Sequence, residues 1–229
     1  MVPRMPIKLI ILDIAGTIVE DHGEVVSAFA RALTKNAIPF TEDELKEWKG
    51  ASKREVIRHF IDRQDDRAAK IQDNVEHTYQ LFRSELQNLY SSNITPISGA
   101  ASTFSWCREQ GIRLATTTGF DSEISDLILQ RTGWRALFAA NVSSSDVPRG
   151  RPAPFMIFRA MEKAGIDDVR VVVNVGDTPL DLQAGTKAGV RGVIGVLTGA
   201  HGEDRLKREA HTHLIPSVRE LPALIEREF

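Results

Sequence analysis

Four short stretches of the chain set reactive side chains directly after apolar runs. Asp13 follows the run Lys8–Leu12 and opens the segment Asp13-Ile14-Ala15-Gly16-Thr17. A carboxylate held at the end of a rigid strand can act as a nucleophile, and the small Ala15 and Gly16 let the backbone turn and approach a ligand closely. An aspartate in that place also serves as a plain turn residue or helix cap. Thr116-Thr117-Thr118-Gly119 supplies hydroxyls and a permissive glycine ahead of a helical pattern, an oxyanion cradle of the kind phosphate groups prefer. A Thr-rich strand edge is the plainer alternative. Gly150-Arg151-Pro152 brings a guanidinium near a helix start, able to pair with a carboxylate or phosphate oxygen; Arg149 competes for that job but suits a solvated loop better. In Val175-Gly176-Asp177-Thr178-Pro179-Leu180-Asp181, two carboxylates straddle a strand-to-helix turn. Such a pair holds a hard cation directly and through its waters, or caps the helix that follows.

The apolar runs themselves must position these groups. Strands are expected at Lys8–Leu12, Arg113–Thr117, Ala140–Ser143, Val169–Val175 and Gly192–Leu197, separated by segments of helical period. Alternating strand and helix predicts an α/β fold, a Rossmann-like parallel sheet with helices on both faces. The reactive residues then all fall at or just beyond carboxyl ends of strands, where ligands bind in open parallel sheets. Residues 18–95 carry no strand signal and read as an all-helical lobe inserted into a core of 1–17 and 96–229. Within the lobe, Thr41 to Glu44 has the spacing of a capping box, and the mixed-sign run Asp62–Asp73 reads as a solvated helix face.

Composition narrows the function classes. With 29 Lys+Arg against 31 Asp+Glu, the net charge is −2, and no block of like charge draws the chain to nucleic acid or an anionic membrane. The apolar run before Asp13 is far too short to span a bilayer, which needs ~20 residues. A single cysteine, Cys107, forms no intramolecular disulfide and suits a reducing compartment, so a cytoplasmic protein is expected.

The order of these four motifs resembles that of the haloacid dehalogenase superfamily of aspartate-nucleophile hydrolases, over essentially the whole chain. Asp13–Thr17, Thr117-Thr118-Gly119-Phe120 and Asp146–Pro152 look most like its phosphonatase branch, phosphonoacetaldehyde hydrolase and its relatives. The resemblance implies a helical cap, a small phosphorylated or phosphonylated metabolite as substrate, and Mg²⁺ as cofactor. It implies attack on phosphorus by Asp13, metal binding by Asp13, the Ala15 carbonyl, Asp177 and Asp181, and phosphate binding by Gly16, Thr17, Thr118 and Gly119. Arg151 would offset the crowded negative charge.

Most phosphatases of the superfamily carry a general acid two residues after the nucleophile, where this chain has Ala15. Phosphonatases instead use a cap lysine that forms a Schiff base with an aldehyde, and Lys53 in Gly50-Ala51-Ser52-Lys53 matches it. Lys49 is expected to lower the pKa of Lys53 by like-charge repulsion. The reading preferred from the sequence gives Lys53 an electrostatic role, steadying a phosphate ester, with the Schiff base as its alternative; a lysine near a helix start is otherwise simply solvated. Lys49 and Val56 stand where the phosphonatase pattern has methionine and a proton-shuttling histidine; His22 and His59 are the substitutes to consider. A reading of another class is a ligand-binding protein that has lost turnover. The sequence leaves the oligomeric state open; an exposed apolar stripe on the first cap helix would suit a homodimer.

Overall fold

The computed structural model describes residues 5–63 and 68–229, with the side chains of 68–72 and 92 left aside. The interior of the charged run Asp62–Asp73 therefore lies outside the described residues. Strand β1 (Leu9–Leu12) is completely buried, as its unbroken apolar sequence requires of a strand covered on both faces. It is followed by helices α1 (Glu24–Lys35), α2 (Glu42–Glu47), α3 (Lys53–Asp62), α4 (Ala68–Ser92) and α5 (Ala100–Glu109). Strand and helix then alternate: β2 (Arg113–Thr118), α6 (Ser122–Arg131), β3 (Ala140–Ser143), α7 (Phe155–Lys163), β4 (Val172–Gly176), α8 (Pro179–Ala188) and β5 (Gly192–Val196). The short α9 (Glu203–Leu206), β6 (His213–Ile215) and α10 (Leu221–Glu228) close the chain.

All six strands form one parallel sheet in the order β3-β2-β1-β4-β5-β6. Two details differ from the sequence-based expectation. Residues Val169–Val171 form a 3-10 turn ahead of β4, because Asp168 accepts a hydrogen bond from the Arg170 N–H and bends the chain there. Strand β6 has no counterpart in the apolar runs. It is three residues long, begins with a histidine and lies at the sheet edge, so it lacks the buried character that marks the others.

Helices α1 to α4 pack on one another. The α1 face of Val25, Ala28, Phe29, Ala32 and Leu33 is buried, and the Phe29 ring stacks on Phe82 of α4 with centroids 4.2 Å apart. The apolar stripe that would suit a homodimer is thus spent inside the chain, where α4 covers it. Helix α2 starts with the expected capping box: Thr41 Oγ1 accepts from the Glu44 N–H, and the Glu44 carboxylate accepts from the Thr41 N–H. The two strands of chain that lead into and out of the helical segment run side by side. The Glu20 N–H donates to the Thr95 carbonyl at 2.9 Å, and the Ile97 N–H donates to the Ile18 carbonyl at 2.9 Å. Among the described residues no helix is long and apolar enough to cross a membrane.

Candidate active site

The sheet order does the positioning. β1 lies between β2 and β4, with Leu12 in register with Thr116 on one side and Val175 on the other. Asp13 comes one residue later, and its N–H still donates to the Val175 carbonyl at 2.9 Å. Thr118 ends β2, and Asp177 follows β4 by one residue. Because the chain departs from β1 to both sides, this is the crevice at the point where strand order reverses. β3 flanks β2, so the loop after β3 delivers Arg151 to the same place.

Arg151 is buried among the acids. Its Nη1 donates to Asp13 Oδ1 at 2.8 Å, and its Nη2 donates to both the carbonyl and the hydroxyl of Thr117 at 2.8 Å. Nη1 also lies 2.9 Å from Asp181 Oδ1 as an ion pair without hydrogen-bond alignment, so that buried oxygen has no hydrogen-bond donor. Arg149 is exposed, its guanidinium carbon 5.8 Å from the Phe155 ring centre.

Asp181 has two jobs. Its Oδ2 accepts from the Thr178 N–H at 3.1 Å and from the Thr178 hydroxyl at 2.5 Å, completing a capping box on α8. Its Oδ1 is left facing Arg151. Asp177 Oδ2 accepts from the Ala200 N–H at 2.9 Å, and its Oδ1 receives a long bond of 3.4 Å from the Thr17 hydroxyl. Gly16 adopts φ +87°, a left-handed conformation, and a Cβ there would sit 2.5 Å from Asp177 Oδ2; only glycine allows the turn to press against that carboxylate. Gly16 and Thr17 thus buttress Asp177 and do not line the cavity.

Asp13, Asp177 and Asp181 each present an oxygen within 4.8 Å of the others. Burial raises the Asp13 carboxyl to about 6, against the pull of Arg151 and with the push of Asp181. Burial, with Asp13 and Asp181 beside it, holds Asp177 well above the usual carboxylate range. One guanidinium cannot neutralise three buried carboxylates, and uncompensated buried charge is costly. The orphaned Asp181 oxygen and the all-oxygen donor set fit a hard divalent cation.

The cavity beside Asp13 is small, about 30 Å³, room for about two waters. Asp13, Ala15, Thr118, Gly119, Phe120 and Asp177 form its floor, and Lys49, Gly50 and Lys53 its roof. Thr118 Oγ1 accepts from the Phe120 N–H at 3.2 Å, which orients the hydroxyl. A Cβ on Gly119 would fall 2.5 Å from the Ala51 carbonyl oxygen and 2.8 Å from that of Gly50, so the roof rests directly on this glycine.

Lys53 is buried, its Nζ donating to the Ala51 carbonyl at 3.1 Å and lying 5.1 Å from the Phe120 ring centre. Its pKa falls from 10.5 to about 8, first by desolvation. Lys49, ion-paired with Asp21 at 2.8 Å, contributes least among the named causes, so desolvation and not the like-charge repulsion expected from sequence is the main one. Neither histidine substitute lines the cavity. His22 is at the surface with Glu20, and the His59 ring packs against Trp48 at 4.6 Å. Asp21, Phe120 and the Ala200 N–H are site groups that motif spacing did not assign.

Known proteins resemble this chain. The family model for haloacid dehalogenase-like hydrolase matches residues 10–196. Phosphonoacetaldehyde hydrolase of Bacteroides fragilis is 31% identical, over 96% of this chain and 96% of that protein. The Hahella chejuensis protein of the same name is 27% identical, over 97% of this chain and 87% of its own length. Among solved structures, a phosphonoacetaldehyde hydrolase-like protein from Oleispira antarctica superposes with a TM-score of 0.84 at 23% identity, over 97% of this chain and 92% of that one. A hydrolase from Pseudomonas syringae gives 0.85 at 18%, over 96% and 99%. These two share the fold. The chain belongs to the haloacid dehalogenase-like hydrolases, as a hydrolase related to phosphonoacetaldehyde hydrolase.

Proposed function

We propose that this hydrolase acts on a small carbonyl-bearing phosphonate, transferring phosphorus to Asp13 while Lys53 holds the departing carbon as an enamine. The observation that carries this reading is the pairing of Ala15, which offers no proton at the nucleophile, with a buried lysine whose pKa is about 8 in the same cavity. Without a positioned acid, an alkoxide leaving group forgoes the ~10²–10⁴-fold of general acid catalysis. An imine removes the need for that acid.

The neutral Lys53 amine adds to the substrate carbonyl carbon, and with one proton taken up from solvent the adduct loses water to give a protonated imine. Asp13 then attacks phosphorus; Arg151 occupies its Oδ1, which leaves Oδ2 to attack. The electron pair of the breaking carbon–phosphorus bond moves into the imine and forms the enamine. Protonation at carbon and hydrolysis return Lys53 and release the carbonyl product, and water hydrolyses the aspartyl-phosphate to free Asp13 and phosphate. Thr118 and the Gly119 N–H cradle the phosphoryl oxygens. Mg²⁺ held by Asp13, Asp177 and the Ala15 carbonyl, with Asp181 behind it, would offset the charge that gathers between carboxylates and phosphoryl group. Residues 18–95 serve as a cap that lays Lys49, Gly50 and Lys53 over the Asp13 crevice.

A second reading, hydrolysis of a phosphate monoester with Lys53 as an electrostatic contact, is favoured by Val56, which leaves the imine without the histidine of the phosphonatase pattern. Borohydride with phosphonoacetaldehyde separates the two. The proposal expects a covalent adduct on Lys53 and an inactive Lys53→Arg, because a guanidinium stays charged. Turnover of monoesters by Lys53→Arg, with no adduct in the wild type, would establish the second reading instead.

A further inference from the structure

Lys53 is the first residue of α3, and its neighbour Arg54 starts a circuit of contacts that returns to the Lys53 amine. The Arg54 guanidinium carbon lies 3.6 Å from the centre of the Tyr79 ring on α4. Its Nε and Nη2 donate to the two oxygens of Glu76, at 3.0 and 3.2 Å, on the same face of that helix. The Tyr79 hydroxyl donates a hydrogen bond to Asp121 Oδ2. Asp121 Oδ1 accepts from the Ile124 N–H at 3.0 Å, so the carboxylate is pinned as the N-cap of α6. Asp121 directly follows Phe120, the ring that carries Lys53 Nζ on its face at 5.1 Å. Behind that ring, Tyr90 packs edge-on with centroids 6.0 Å apart.

We propose that Tyr79 and Asp121 are positioning residues: their hydrogen bond clasps the helical segment to the sheet and holds the Lys53 amine against Phe120 in the Asp13 cavity. A further link at this seam, Arg83 to Glu123 at 2.7 Å, has 30% and 67% exposed side chains and contributes little. The clasp differs in kind. Tyr79 is only 2% exposed, and a hydroxyl-to-carboxylate bond is about twice as strong as a neutral one. Burial, then the hydrogen bond to Asp121 and the charge of that carboxylate, hold the phenol above its ordinary pKa, so it remains a donor at neutral pH. One carboxylate thereby ties the lysine-bearing helices to the loop of Thr118, Gly119 and Phe120. The catalytic weight of this positioning rests on the proposed role of Lys53; the clasp itself does not.

The full chain is made as Tyr79→Phe, Asp121→Asn and the double variant; asparagine keeps the N-cap. Lys53 modification by acetic anhydride is followed by peptide mass spectrometry without substrate, and kcat and KM are measured with phosphonoacetaldehyde. Each single variant is expected to raise the Lys53 modification rate about tenfold, the worth of one charge-assisted hydrogen bond, and the double variant no further. kcat/KM should fall by a similar factor, mainly through KM. Unchanged Lys53 modification, or single effects that multiply in the double variant, would overturn the clasp. If Tyr79→Phe fails to fold, Asp121→Asn decides alone by the same rate. Faster Lys53 modification in proteins that never turn over phosphonoacetaldehyde would uphold the clasp and reject the substrate reading.

Discussion

Replacing Lys53 by methionine should abolish turnover of a carbonyl phosphonate and yet stabilise the protein at pH 7. The amine is buried, and its pKa falls from 10.5 to about 8. At about 1.36 kcal/mol per pKa unit, holding it charged below pH 8 costs about 3 kcal/mol. Methionine fills the same volume without charge, but forfeits the hydrogen bond to the Ala51 carbonyl, worth about 1 kcal/mol. A net gain of about 2 kcal/mol remains, equal to roughly 4–8 °C in Tm for a chain of this size. The sign with pH follows from proton counting. Between pH 8 and 10.5 the unfolded wild type binds a proton that the folded state has released, so wild-type stability rises with pH from this group and the advantage of methionine shrinks. Urea unfolding at pH 7, 8 and 9.5, followed by tryptophan fluorescence, measures both effects. A variant less stable than wild type at pH 7, or an advantage that does not narrow by pH 9.5, would refute the reasoning.

Gly119→Ala drives a Cβ to 2.5 Å from the Ala51 carbonyl oxygen, a backbone atom that must shift, so kcat/KM should drop at least about tenfold. Wild-type kinetics in that variant would show that the roof need not seat on Gly119. Mg²⁺ at about 100 times its Kd should raise unfolding stability by about 2.7 kcal/mol, an increment that Asp177→Asn loses; an equal metal-induced Tm shift in both proteins would remove Asp177 from the metal site. Phe29→Ala, which deletes the ring stacked on Phe82 at 4.2 Å, should cost about 3–5 kcal/mol in urea unfolding, and a loss below about 1 kcal/mol would mean that α4 does not depend on this contact.

Much of the site was legible in the sequence because strand ends are marked locally. Leu9–Leu12 and Val172–Val175 are apolar without a break, so the polar residues after them, Asp13 and Asp177, announce the carboxyl edge of a buried sheet. Thr118 and Gly119, Arg151 and Asp181 stand at equally plain boundaries, and Thr41 with Glu44 spells its capping box over four residues. Ala15 and Lys53 became readable as a missing acid and an added amine only through the resemblance to phosphonatases. β6 was not, because three edge residues, two of them only half-buried, carry no periodicity.

Sequence alone determined which reactive groups the chain carries and on which strand ends they sit. Tertiary structure decided which of them meet. The order β3-β2-β1-β4 brings Arg151, Thr118, Asp13 and Asp177 side by side, although up to 138 residues separate ion-paired partners. It also decided the electrostatics. Lys49 is ion-paired with Asp21, burial and not like-charge repulsion is the main cause of the lowered Lys53 pKa, and one guanidinium is left to face three carboxylates. The tie from Tyr79 to Asp121 has no signature in the chain at all. Desolvation and long-range pairing depend on what packs against a residue, and a local pattern contains no information about partners that arrive from another part of the chain.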